Sequence, residues 1–143
     1  MNLKHITPEQ LAFHNTEDGH QLAFFCWCAL NYKEYPELKW AFHVPNGGFR
    51  HKAEAAKLRA MGVRSGVPDI CLPVRRGSYS GLFIELKRMA KDGKREGRLS
   101  DNQKEVWIPF LKSQGFGVAV AYGWMEARNI IVSYLNWSDN APT

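Results

Sequence analysis

Apolar residues recur along the first half of the chain in short runs that predict alternating helices and strands. Residues 17–32 carry apolar side chains around much of a helical circumference, which predicts a largely buried helix. A shorter helix is predicted at residues 7–10, where a threonine cap is followed by proline and, at the capping-box position, glutamine. Alternation at residues 39–44 predicts a strand with one apolar face, formed by Trp40, Phe42 and Val44.

The second half continues this order of elements. Residues 51–61 predict a helix that ends at Gly62 and has an apolar side of Ala55, Leu58 and Met61. Residues 88–98 are charged and predict a mobile loop. Residues 116–122 predict a buried strand and residues 125–135 a final helix. The resulting order of helices and strands indicates an α/β fold, with a mixed four-stranded β-sheet flanked by helices.

A further helix is predicted at residues 100–114. It opens with a capping box at residues 100–103, and Pro109 inside it predicts a kink or local irregularity. Helical periodicity places four of its apolar residues inward, namely Val106, Trp107, Phe110 and Leu111.

Two apolar runs at residues 66–73 and 81–87 flank a turn-rich segment and predict a β-hairpin. Each run carries one acid, Asp69 or Glu85, where a buried strand normally has an apolar residue. Side chains two apart on a strand share a face, so Glu85 and Lys87 point the same way.

The register of this hairpin brings the two acids together. They are equidistant from Gly77 along the chain, so a turn centred on that glycine makes them cross-strand neighbours. Two half-buried carboxylates cannot both ionise comfortably without a cation. A hard divalent ion with oxygen ligands would relieve the repulsion.

Composition and charge narrow the class of protein. The chain has 143 residues with 45% hydrophobic and 13% aromatic content, which predicts one folded domain over residues 1–143, with a core at 16–135 and a flexible tail at 136–143. A net charge of +5 modestly favours an anionic partner. Three cysteines, an apolar-poor N-terminus and the lack of an 18-residue apolar run predict a reduced cytoplasmic protein without a membrane segment.

Several ordered segments resemble one known family. Pro68-Asp69 followed by Glu85-Leu86-Lys87 is similar to the core motif of PD-(D/E)XK nucleases. The surrounding segments at residues 44–48, 62–69, 83–87 and 99–103 together resemble the VRR-NUC, or virus-type replication-repair nuclease, domain. The resemblance extends over residues 16–135 and implies a PD-(D/E)XK nuclease-like core.

This resemblance implies an active site that uses Mg²⁺ or Mn²⁺. Asp69, Glu85 and the backbone carbonyl of Leu86 would bind the metal, and Lys87 would assist catalysis. Gln103 and Glu17 match a glutamine and a first-helix acid of the family, which implies that both are catalytic residues and that Glu17 is a further metal ligand. Alternatives remain open for these residues: a structural ion pair of the two acids with Lys87 or Arg64, a capping role for Gln103, and, for Glu17, a favourable helix-dipole position or replacement by Asp18 or Glu9.

The same resemblance implies a structure-specific DNA endonuclease, similar to Holliday-junction resolvases and acting as a homodimer in a bacterial or phage-infected cell. Alternatives are a less selective nickase or flap nuclease of a phage or mobile element, and a non-catalytic DNA-binding module. The predicted DNA contacts are Arg64, Arg75, Arg76, Arg88, Lys91, Lys94, Arg95 and Arg98.

Overall fold

A mixed four-stranded sheet organises the chain in the computed structural model, which describes residues 5–45, 51–90 and 98–137. The strands lie in the order β1-β2-β3-β4, with antiparallel pairing except between β3 and β4, which are parallel. This arrangement confirms the fold class predicted from the sequence. The strand bounds are Phe42–His43 for β1, Ile70–Leu72 for β2, Leu82–Lys87 for β3 and Gly117–Tyr122 for β4.

Two long helices cover the sheet, and shorter helical segments connect its strands. Thr16 caps the longer N-terminal helix by accepting a hydrogen bond from the Gly19 N–H. The helices are α1 (Pro8–Leu11), α2 (Glu17–Leu30), a 3₁₀ helix (Pro36–Trp40), α3 (Lys52–Ala60), a π-helix (Asn102–Trp107), α4 (Ile108–Ser113) and α5 (Trp124–Leu135).

The core lies between the sheet and the helices α2 and α5. Leu82, Ile84 and Leu86 alternate along β3 and are buried in the same cluster as Phe24 and Ile131. Phe83, Glu85 and Lys87 occupy the intervening positions of the same strand. Within the described ranges, none of the helices combines the length and apolarity needed to cross a bilayer.

The predicted register of the β2–β3 hairpin is confirmed. Ile70 pairs with Ile84, and Leu72 pairs with Leu82. The tip differs from a turn centred on Gly77, because Arg76 pairs with Tyr79 across a two-residue turn. One extra residue therefore lies on the first arm between tip and ladder. That arm contains Pro73, which has no N–H for a regular ladder.

The predicted strand at residues 39–44 is wrong over most of its length. Residues 36–40 form the 3₁₀ helix, which begins at Pro36 and buries Leu38. Only Phe42 and His43 are extended. Trp40 is 66% exposed and Phe42 49% exposed, so the alternating aromatic pattern does not mark a core face. The burial of Leu38 and the preference of Pro36 for the first turn of a helix outweigh the strand propensity of these residues.

The predicted irregularity in the helix at residues 100–114 is a π-helix. The Ile108 N–H donates to the Gln103 carbonyl, five residues earlier, and Pro109 then lies in the first turn of α4. The wider turn shifts the later side chains relative to an α-helical count. Leu111 is buried as expected, but the inward positions assigned to Val106 and Phe110 are wrong, since these side chains are 54% and 53% exposed.

The structure corrects two other predictions, one on the burial of Met61 and one on the start of the C-terminal tail. Met61, placed on the apolar side of α3, is 71% exposed, and α3 has no buried residue. The tail predicted at 136–143 is not frayed at its start, because the Trp137 N–H donates to the Tyr134 carbonyl and the indole covers Gly77. The remainder of that tail, the turn at 46–48 and residues 91–97 of the predicted loop lie outside the described residues.

We expect Gly66→Ala to destabilise the fold more than the matched substitution Gly62→Ala. Both glycines have positive φ, +94° and +104°, so an alanine is strained at either position. A Cβ at Gly66 would also lie 2.6 Å from Asn102 Nδ2 and 2.8 Å from Trp107 Cδ1, whereas one at Gly62 meets nothing within 4 Å. The extra overlap should lower the free energy of unfolding in urea by about 1–3 kcal/mol. Equal losses of unfolding free energy in the two variants would show that Asn102 and Trp107 can move to accept a Cβ at position 66.

Candidate active site

A cavity of about 340 Å³ opens where β2 and β3 are farthest from the hairpin tip. It brings together all five side chains predicted to be catalytic. The family resemblance predicts that these residues share one site, although Glu17 and Gln103 lie far apart in the chain. The lining residues are Glu17, Asp18, Gln21, His43, Ser65, Gly66, Asp69, Glu85, Leu86, Lys87, Ser100 and Gln103.

Asp69 is fixed from both sides of the hairpin. Its backbone carbonyl accepts hydrogen bonds from the Val44 N–H at 2.7 Å and from His43 Nδ1 at 2.8 Å. Its carboxylate accepts the Leu86 N–H at 2.8 Å. Asp69 is therefore held between β1 and β3 at the end of the ladder. These contacts also fix the orientation of its other carboxylate oxygen, Oδ1.

Pro68 explains why the ladder ends at this point. In the observed register the residue facing Leu86 is Pro68, which has no N–H to donate. In an antiparallel pair, a residue's N–H and C=O point to the same neighbouring strand. The Leu86 N–H therefore turns to the Asp69 carboxylate, and the Leu86 carbonyl faces the same end of the cavity without a backbone donor from Pro68.

Asp69 and Glu85 face each other at the register position next to the pair of Ile70 and Ile84, and their carboxyl groups interact. Burial, followed by the charge of Glu85, raises the pKa of Asp69 to about 7, although the Leu86 N–H opposes the shift. Glu85 is only 4% exposed. Its Oε2 is buried and has no hydrogen-bond partner among the described residues. A buried carboxylate oxygen in this state lacks a donor or a cation.

Lys87 is the cation nearest this pair. Its Nζ lies 3.3 Å from Glu85 Oε1 and 3.8 Å from Glu17 Oε1, and its side chain is 12% exposed. Glu17 is more open, at 56% exposed, and occupies the first turn of α2. Asp18 also lines the cavity, whereas Glu9 does not. Among the described residues, no three His, Cys, Asp or Glu side chains are grouped closely enough to hold a metal.

Gln103 forms the predicted capping box. The Ser100 N–H donates to Gln103 Oε1 at 3.1 Å, and the Gln103 N–H donates to Ser100 Oγ at 3.2 Å. Gln103 is buried but lines the cavity. Since its carbonyl oxygen already accepts a backbone hydrogen bond, its amide NH₂ is the group suited to act on a molecule in the cavity, as a donor.

A buried network missed by the sequence predictions holds α2 against the end of β3. His20 Nδ1 accepts the Trp124 N–H at 3.1 Å, so Nε2 carries the proton and donates to Asn15 Oδ1 at 2.8 Å. Burial lowers the pKa of His20, which keeps the ring neutral. Asn15 Oδ1 also accepts the Met89 N–H at 2.8 Å. The network therefore fixes the helix carrying Glu17 beside Lys87.

The basic residues predicted to contact DNA separate into groups. Arg64, Arg88 and Arg98 are exposed and lie within two residues of side chains that line the cavity. Arg75 and Arg76 lie at the hairpin tip, up to about 20 Å from Glu85 in extended chain. Arg76 has a structural role there, as its guanidinium pairs with Glu37 at 2.8 Å and donates to the Leu135 carbonyl. Lys91, Lys94 and Arg95 lie outside the described residues.

His43 and Gln21 line the cavity but were not predicted as site residues. Two sequence signals were available for them. His43 directly precedes the family-like segment at 44–48, and Gln21 follows Glu17 by one helical turn. His43 donates through Nδ1 to the Asp69 carbonyl, which leaves Nε2 as the ring nitrogen not engaged by this hydrogen bond.

The VRR-NUC family model matches residues 15–125 of the chain. The protein belongs to the VRR-NUC family. A solved structure of a VRR-NUC domain protein is similar to this chain at 32% identity, with a TM-score of 0.68, and the alignment covers 87% of this chain and 91% of the other. No curated protein matches the chain detectably. This VRR-NUC protein is therefore a member of a nuclease family, as the sequence motifs predict.

We expect the metal-free VRR-NUC protein to lose stability as pH rises from about 4 to 8. Asp69 has a pKa of about 7 when folded but about 3.9 when unfolded, so its stabilising protonation is complete below the lower value and lost through the higher one. Asp69→Asn should flatten this pH slope. It should also raise the free energy of unfolding at pH 8 by about 1.4 kcal/mol or more, which is the free-energy equivalent of one pKa unit. Urea unfolding in EDTA measures the free energy of unfolding against pH. An unchanged pH slope in Asp69→Asn would contradict the prediction.

We expect His43 to act through the hydrogen bond from Nδ1 to the Asp69 carbonyl. His43→Ala should lower nuclease kcat roughly 5- to 10-fold, the equivalent of one lost hydrogen bond of about 1 kcal/mol. His43→Asn should restore most of the rate, because asparagine has an N–H donor at nearly the position of Nδ1. His51→Ala, an exposed histidine outside the cavity, is the control. Equal losses in the alanine and asparagine variants would assign the function to Nε2 instead.

Proposed function

We propose that this VRR-NUC protein is a divalent-metal-dependent endonuclease that hydrolyses phosphodiester bonds in DNA. The observation that carries the proposal is the partnerless buried Oε2 of Glu85 beside the carboxyl group of Asp69. A cation would supply the missing partner and offset the burial and the charge of Glu85, which together raise the pKa of Asp69. A structural ion pair with Lys87 alone engages Oε1 of Glu85, but Oε2 still has no partner in the part of the chain that the structure describes.

The donor set fits a hard cation such as Mg²⁺ or Mn²⁺. Asp69, Glu85 and the Leu86 carbonyl offer oxygen ligands only, and Mg²⁺ characteristically keeps several waters besides a few protein oxygens. Glu17 would belong to the outer part of the site, since no third acid joins the pair among the described residues. When bound, such an ion polarises a phosphoryl oxygen and lowers the pKa of a coordinated water.

The side chains around the pair have separate tasks. Lys87 is held by Glu85 and Glu17 and can orient a water and stabilise the charge that develops on the phosphate. The Gln103 amide NH₂ can donate to a phosphate oxygen, while its carbonyl oxygen keeps the helix start in place. Arg64, Arg88 and Arg98 are exposed and lie within two residues in sequence of side chains that line the cavity, so they are candidates to bind the phosphates flanking the cleaved bond.

We further propose that branched DNA is the preferred substrate and that the protein works as a homodimer. Each chain contributes one set of Asp69, Glu85 and Lys87, and two symmetric cuts in a four-way junction need two such sets related by a two-fold axis. The net charge of +5 is compatible with a polyanionic substrate. Flap cleavage and unselective nicking use the same chemistry and differ only in how the DNA is held.

We expect Asp69→Asn and Lys87→Ala to reduce DNA cleavage at least about 100-fold while leaving the fold intact. The first removes a charged ligand of the proposed cation, and the second removes the charge that stabilises the reacting phosphate. Lys112→Ala, at an exposed lysine outside the cavity, is the matched control and should cut normally. Labelled four-way junction, flap, single-stranded and linear duplex DNA in Mg²⁺ or Mn²⁺ provide the assay, with circular dichroism to check folding. Full activity in folded Lys87→Ala would exclude the proposed role of this lysine.

Separate measurements test the proposed metal, the proposed substrate and the proposed homodimer. Calorimetric titration with Mn²⁺ should show binding that Glu85→Gln removes, since the amide is a poorer cation ligand. Paired symmetric cuts in the junction and a dimer in sedimentation support the resolvase form. A monomer, both free and junction-bound, would exclude it. Absence of Mn²⁺ binding and of cleavage of every substrate would favour a non-catalytic DNA-binding module.

A further inference from the structure

A second groove adjoins the catalytic cavity along the outer face of α2. It measures about 300 Å³ and is lined by Asp18, Gln21, Leu22 and Phe25, which we call the α2 groove. Asp18 and Gln21 also line the catalytic cavity, so the two spaces share a wall. A molecule whose reacting part lies in the cavity can extend directly into this groove.

The α2 groove has apolar and polar sides in a fixed arrangement. Leu22 is 60% exposed and lies beside Phe25 in the lining of the groove, so the two side chains together form an apolar surface that is open to solvent. Phe25 is half-buried, and its ring packs edge-on against Phe24 with 5.3 Å between ring centroids. Asp18 and Gln21 contribute an acceptor and an amide at the end next to the cavity. The apolar surface is therefore anchored to the core, and hydrogen-bonding groups border it.

We propose that the α2 groove receives an unstacked nucleobase of the DNA strand whose phosphate occupies the catalytic cavity. The inference rests on the proposed function and adds a subsite for substrate selection. A nucleobase has apolar faces and a polar edge, which match Leu22 and Phe25 on one side and Asp18 and Gln21 on the other. The carboxylate of Asp18 disfavours a phosphate in the groove but not an uncharged base.

The distances along α2 fit a base close to the cleaved bond. Leu22 follows Asp18 by four residues, about 6 Å along the helix axis, and Phe25 by seven residues, about 10 Å. Stacked nucleotides advance only about 3.4 Å per strand position. A base within one or two nucleotides of the scissile phosphate therefore reaches the groove when it leaves the stack. A second copy of the chain seated here would instead obstruct the shared wall of the cavity.

This subsite would distinguish DNA structures without reading their sequence. In a continuous duplex every base is stacked and paired, so filling the groove requires unstacking. At a flap, a junction or a single-stranded segment, a base next to the branch is already free to turn outward. The α2 groove therefore favours cleavage next to unpaired nucleotides, through contact with a base face that all four bases possess.

The test combines Leu22→Ala with an abasic substrate. A flap substrate is prepared with a normal base or a tetrahydrofuran abasic site at each of the two nucleotides beside the cut. Wild-type kcat/KM should fall about tenfold at one abasic position, and Leu22→Ala should lose a similar factor on the normal flap. The kcat/KM of Leu22→Ala should not fall further on the abasic flap, because the substitution and the abasic site remove the same contact. Leu30→Ala is the matched control, on the same helix, 69% exposed and outside both cavities.

Binding gives a second readout that does not depend on cleavage. A strand with 2-aminopurine beside the branch should change its fluorescence on binding to wild type in Ca²⁺, and the change should be lost in Leu22→Ala but kept in Leu30→Ala. Multiplicative effects of variant and abasic site, or an unchanged fluorescence response in Leu22→Ala, would overturn the subsite. So would a shift of Leu22→Ala from dimer to monomer in sedimentation. If wild type cleaves no substrate, the proposed function fails, and the fluorescence experiment still decides whether a base enters the groove.

Discussion

The close approach of two carboxyl groups is the constraint on which the site depends. The register of β2 and β3 brings Asp69 opposite Glu85. Because Glu85 is buried and Asp69 is half-buried, little water is available to screen the two charges from one another. The surrounding structure compensates in part, with the Leu86 N–H on one acid and the Lys87 ammonium on the other. The compensation is incomplete, because one oxygen of Glu85 remains without a partner among the described residues. That unpaired oxygen is the physical basis of our proposal that the cavity binds a cation.

Helix α2 connects this pair to the rest of the molecule. Its first turn brings Glu17 to Lys87, and the neutral His20 with Asn15 fixes that turn to the backbone after β3. Its next turn carries Leu22 in the α2 groove, and its inner face carries Phe24 in the core. One helix thus supports the ion-pair geometry, the proposed base contact and the packing of the sheet. A shift of α2 along its axis would alter all three together.

The sequence predicted the site where local rules determine geometry, and failed where distant packing does. The hairpin register follows from alternation of apolar residues around an obvious turn, so the pairing of strands around Asp69 and Glu85 could be anticipated. The 3₁₀ helix at Pro36–Trp40 and the exposed Phe110 could not, because burial of Leu38 and a widened π-helical turn override simple periodicity. The roles of His20 and His43 depend on backbone groups far away in the chain, which no local pattern encodes.

The wide sequence separation of Glu17 and Gln103 has a consequence for folding. Joining them closes a long loop, so the candidate active-site cavity forms only after many non-local contacts are made. Helix α2 also packs against α5, which follows β4 in the chain. A chain that has not made these long-range contacts therefore contains the acids and the lysine but does not hold them around one cavity. Local unfolding of α2 or α5 would abolish the proposed DNA-cutting activity, although no residue of the site would be changed.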